Sequence, residues 1–135
     1  MKNTETELIP EGIKAYLKIM NKNVLPNYKQ KNGEPYDCRT IAKNIKHLCE
    51  SHGIEAKIIR YDSKEWIGNK EMNNERLFPK YIEGITKGWE YHDVCLANNK
   101  ILDPILGMPI EAKNYSQILF EREVGVKEIN YENKK

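Results

Sequence analysis

Six residues, Cys38, Ile41, Ala42, Ile45, Leu48 and Cys49, fall on one stripe of a 3.6-residue helix, and Gly53 follows as a C-terminal cap. Directly after it, IEAKIIRY at 54–61 is short, rich in isoleucine and partly alternating, the pattern of a strand. An amphipathic helix passed through a glycine turn into a strand has an apolar stripe to cover, and the adjacent sheet is the surface available to cover it. Asp37 is an N-cap candidate, which places Cys38 in the first helical turn, on the stripe that faces the core.

The remaining segments fit around that unit. Ile13, Tyr16, Leu17 and Met20 recur at helical spacing behind Pro10, which predicts a surface helix over about residues 9–22. PNYKQKNGEP at 26–35 has no apolar period and reads as a loop. Residues 62–88 are polar with a broken apolar pattern, so an excursion with one or two short helices is expected there. WEYHDVCLA, starting at Trp89, alternates, and Asn98-Asn99 supplies a tight turn before KILD. The loop PILGMPIEAKNYSQ then leads to a third strand-like stretch, ILFEREVGV, with continuation toward Ile129 and Tyr131. Helices first and strands afterwards predict an α+β domain with an antiparallel sheet rather than a βαβ array. With 135 residues the expectation is one domain, 1–135, whose ends at 1–7 and 132–135 fray.

Charge narrows the partners. Lys plus Arg number 22 against 20 Asp plus Glu, a formal +2, which leaves no basic footprint for nucleic acid. No apolar run approaches the roughly 18 residues of a membrane span, and the opening MKNTETELIPEG is polar and acidic rather than a secretory signal. Three cysteines, an odd and small number, suit a reducing compartment, and a cytoplasmic location is expected.

One of those cysteines carries chemistry. At a helix N-terminus the unsatisfied N–H groups and the macrodipole favour an anion, so a thiolate at Cys38 is stabilised. A cysteine on an apolar stripe is otherwise a small core hydrophobe, and the reading depends on partners. His92 shares a strand face with Val94 and Leu96. A two-residue turn at Asn98-Asn99 sets Asp103 opposite Val94, diagonal to His92 and on the same face. A turn at Asn99-Lys100 keeps it on that face. The hairpin therefore joins a base to its orienting carboxylate, two parts of a Cys-His-Asp triad. His47, Cys49 and His52 are the rival cluster for a metal, but His47 and His52 point apart and no fourth ligand accompanies them, so no metal and no cofactor are expected.

In this order and context, DCRTIAKNIKHLCESHGIEAKII followed by EYHDVCLANNKILDP resembles the transglutaminase-like branch of the papain-like superfamily. There a Gly-Ile-x-Ala-[Arg/Lys] segment follows the nucleophile helix, matched here by Gly53-Ile54-Glu55-Ala56-Lys57, then a histidine in a strand and an Asp, often Asp-Pro, in the next. The resemblance spans roughly residues 36–105 and extends to papain-fold toxin and glutamine deamidase domains with the same order. It implies a papain-like core with Cys38 as nucleophile, His92 as acid and base, and Asp103 as orienter. The aromatic that commonly follows the family's histidine is absent; Trp89 and Tyr91 precede His92 instead. Gln30, Asn32, Tyr36 and Trp89 are the candidates for oxyanion or substrate positioning. Cell-wall peptidases whose helix opens with Asp-Cys are a second resemblance, but their Gly-Asp turn before the histidine is missing.

The implied activity is cysteine-dependent acyl transfer at an amide: protein glutamine deamidation, transamidation or peptide hydrolysis, with a protein or peptide as substrate. The alternatives are a catalytically inert binding module of the same fold, and an effector or toxin that turns the same chemistry on a foreign protein.

Overall fold

The computed structural model describes residues 9–30, 38–63, 65–67, 70–73, 76–80 and 88–129. The chain order is α1 (Glu11–Gln30), α2 (Cys38–Ser51), β1 (Ala56–Asp62), β2 (Glu65–Ile67), β3 (Lys70–Asn73), β4 (Tyr91–Ala97), β5 (Lys100–Asp103), β6 (Met108–Glu111), α3 (Ala112–Phe120) and β7 (Gly125–Ile129). The class is α+β, as the element order predicts. Five strands form one antiparallel sheet in the order β6-β5-β4-β1-β7, and β2 with β3 forms a separate hairpin.

The two faces of the sheet build two cores. On one, α2 lays Ile45 and Cys49 against Ala56, Cys95, Ala97 and Leu102. On the other, α3 brings Tyr115, Leu119 and Phe120 against Ile59, Tyr61 and Val94. α1 touches β6 and serves both, with Ile13 and Leu17 in the first core and Val24 in the second.

Local chemistry explains the boundaries. Pro10, placed ahead of the first turn, accepts from the N–H groups of Ile13 and Lys14 at 3.1 Å each. α2 ends in a Schellman turn: Gly53 N–H donates to Glu50 O at 3.0 Å and Ile54 N–H to Cys49 O at 2.9 Å, with Gly53 at φ +76°. Asn98 and Asn99, at φ 53° and 64°, make the two-residue β4–β5 turn with both central residues left-handed, as Asn tolerates.

Four expectations need correction. α1 does not stop near residue 22 but runs through Pro26 to Gln30. The cost of an internal proline, about 3 kcal/mol, is offset by the burial of Val24 and by Leu25 packed behind it, at roughly 1.5–3 kcal/mol for a fully buried side chain. Within 62–88, the described residues form the β2–β3 hairpin and an isolated bridge between Leu77 and Trp89 rather than short helices; residues 81–87 lie outside the described residues. The strand expected over ILFEREVGV is instead the end of α3 followed by β7, because Ala112, Tyr115 and Leu119 are spaced for a helix that buries one face. The segment read as a loop before it contains β6 and most of α3. No helix among the described residues is long and apolar enough to cross a membrane.

Candidate active site

Cys38 opens α2 and is only partly buried, at the end of the stripe that carries Ile41, Ala42 and Ile45 over the sheet. Asp37, expected as its cap, lies outside the described residues. The thiol lines a narrow crevice with Ala42, Asp93, Val94, Asp103 and Pro104, where β5 stops. Its helix position leaves the first backbone N–H groups of α2 without intrahelical partners.

The β4–β5 register brings the other two residues together. Cys95 faces Leu102, Leu96 faces Ile101 and Ala97 faces Lys100; one step further sets Asp103 across from Val94, on the His92 row. His92 Nε2 and Asp103 Oδ2 are 3.0 Å apart, and each residue is only 1% exposed. This is the diagonal pair that the hairpin arithmetic predicts.

Asp103 is held on every side. Ile105 N–H donates to Oδ1 at 3.1 Å, and the Tyr115 hydroxyl donates to Oδ2, the oxygen that also faces His92. Behind it the turn is closed by Leu106 N–H donating to Asp103 O at 3.0 Å. Asn21 of α1 clamps the same turn, its Nδ2 donating to Pro104 O at 2.8 Å and Ile105 O at 2.9 Å. Trp89 stacks on the His92 ring at 4.6 Å between centroids and 26° between planes. The Leu77 bridge holds Trp89 in place, with its two backbone bonds at 2.7 and 2.8 Å.

Burial alone pushes the His92 imidazole down, but the charge of Asp103 and its hydrogen bond outweigh that. A hydrogen bond to Cys38 and the charge of that sulfur add to the effect, and the imidazole is pushed up to about 10. The arrangement therefore favours an imidazolium between a carboxylate and a cysteine sulfur.

The neighbouring acidic residue also borders the crevice but is paired elsewhere. Asp93 points to the opposite face of β4, where Arg60 binds it through two bonds of 2.8 and 3.0 Å and lies 3.9 Å over the Tyr91 ring. Cys49 and Cys95 are both fully buried in the α2-side core. Their mutual hydrogen bond pulls the Cys49 thiol down and, with burial, pushes the Cys95 thiol up. All three cysteines are free, and Cys38 is the one with partial exposure. Cys49 faces the core while His52 Nδ1 lies 2.9 Å from Leu48 O, and among the described residues no group of three His, Cys, Asp or Glu side chains is arranged to hold a metal ion.

Of the positioning candidates, Trp89 lies in the site, as a ring support for His92. Gln30 ends α1; Asn32 and Tyr36 lie outside the described residues. Tyr115 and Asn21 were not singled out by the sequence. The signal for Tyr115 was its place on an apolar helical stripe, where a phenol buried at its tip needs a partner. Comparison with protein-family models, with curated proteins and with solved structures found no match.

Proposed function

We propose that this chain is a cysteine-dependent acyl-transfer enzyme acting on amides, with Cys38 as nucleophile, His92 as acid and base, and Asp103 as orienter. The observation that carries the reading is the buried His92–Asp103 pair set beside a cysteine at a helix N-terminus. Nε2 is engaged by Asp103, which leaves Nδ1 to exchange a proton with the Cys38 sulfur. The thiolate attacks the amide carbonyl carbon and forms a C–S bond; the oxyanion is stabilised by the Cys38 backbone N–H. As the C–N bond breaks, the imidazolium gives its proton to the departing ammonia or amine. Neutral His92 then takes a proton from water or an acceptor amine, which attacks the thioester and releases the thiolate. Water yields a carboxylic acid, and an amine yields a new amide.

The substrate class favoured by the sequence resemblance is the glutamine side chain of a protein or peptide. The test is iodoacetamide labelling of Cys38 across pH in the native chain and in His92→Ala, followed by ammonia release from glutamine-containing peptides. The reading predicts labelling near neutral pH that is faster than for a cysteine in unfolded chain and depends on His92. Removing His92 should lower turnover by roughly a hundredfold or more. Labelling at the unfolded rate, unchanged in His92→Ala, sinks the catalytic reading and leaves the inert-module alternative. Ammonia release limited to peptides from another organism's protein would point to the effector alternative.

A further inference from the structure

We infer that Tyr115 is a positioning residue of this site, whose hydroxyl holds the Asp103 carboxylate in line with His92. The inference rests on the proposed triad but concerns a residue from α3, outside it. Tyr115 is fully buried, its ring packed 5.0 Å from Tyr61 and 6.4 Å from Phe120. Phenylalanine would satisfy those ring contacts equally, so packing alone gives no reason for a hydroxyl here.

The hydroxyl donates to Asp103 Oδ2, the oxygen facing His92 Nε2, while Ile105 N–H occupies Oδ1. Three donors on the two oxygens fix the plane of the carboxylate. Without Tyr115 the group keeps one donor on each oxygen and gains freedom to rotate about its Cβ–Cγ bond. Its pull on the imidazolium weakens, and with it the positive charge that His92 sets beside the Cys38 sulfur. The titratable groups around Asp103 are His92 from β4, Cys38 from α2, Tyr61 from β1 and Tyr115 itself. Of the two tyrosines, Tyr115 is the one bonded to the carboxylate. Burial, then the charge of Asp103, pushes the Tyr61 phenol up to about 12.

The test compares the native chain with Tyr115→Phe and Tyr61→Phe, the latter removing a hydroxyl from the same ring cluster. Two quantities are read: the proton NMR signal of His92 Nε2–H, expected far downfield of the amides, and the Cys38 labelling rate near neutral pH. In Tyr115→Phe the signal should move upfield and broaden, and labelling should slow severalfold; Tyr61→Phe should leave both unchanged. An unaltered signal in folded Tyr115→Phe, or an equal change in both variants, overturns the inference. If Tyr115→Phe does not fold, the native spectrum decides. A cross-peak between His92 Nε2–H and a slowly exchanging Tyr115 hydroxyl proton supports it, and a visible His92 proton without that cross-peak overturns it. If Cys38 labels at the unfolded rate while the His92 signal still responds to Tyr115→Phe, the acyl-transfer reading fails and the hold of Tyr115 on the pair stands.

Discussion

His92 owes its charge chiefly to Asp103, since its burial works against protonation. Asp103→Ala should therefore leave a neutral imidazole at neutral pH, slow Cys38 labelling there, and cost about 3–5 kcal/mol as the partner of a buried pair is lost. Labelling profiles and urea unfolding read the two effects separately. Because the folded-state value, about 10, lies above the ordinary 6.5, the contribution of His92 to stability is complete below the ordinary value and is lost as pH rises through the folded one. The unfolding free energy of the native chain minus that of His92→Ala should accordingly fall between those two values; a flat difference would contradict the ion pair. Cys38, His92 and Asp103 were legible because a helix period and a two-residue turn fix which faces they share. Tyr115 was not, because its segment reads as a loop and only the helix α3 turns its hydroxyl toward Asp103, and Asn21 was not, because its partners, the carbonyls of Pro104 and Ile105, lie far along the chain.

Two glycines test how the elements carry the site. Gly53 stands at φ +76° with open space where a Cβ would go, so Gly53→Ala should cost only the left-handed backbone strain, about 1 kcal/mol by urea unfolding. Gly88 is different. A Cβ there would lie 2.6 Å from the Cβ of Arg76, the stem rather than the free end of that side chain. Gly88→Ala should therefore push apart the Leu77–Trp89 bridge, disturb the Trp89–His92 stack and change Trp fluorescence, an effect Gly53→Ala should not produce. The elements legible in the sequence were those with one dominant period, α2, β1 and the β4–β5 hairpin. α3 was hidden because Ile118, Leu119 and Phe120 are consecutive apolar residues that mimic a buried strand, and only Tyr115 and Ala112 reveal the helical spacing. The end of α1 was hidden because Pro26 is a strong stop signal locally, and the burial of Val24 that overrides it is a tertiary effect.

The whole molecule separates its three thiols by environment. Cys49 and Cys95 are sealed between α2 and the sheet, and Cys38 is partly open. The native chain should therefore present one fast thiol to iodoacetamide and all three in strong urea, as counted by intact mass; two or more fast thiols in the native state would mean the α2-side core is not closed. The sheet also divides the labour of the site. The helix bearing Cys38 is anchored in one core, while Val94, Trp89 and Tyr115, which surround the base, belong to the other. Loosening either core shifts one half of the site relative to the other, so a single alkylation rate becomes a strain gauge for the entire fold, and a core substitution far from the crevice should register there before global unfolding begins.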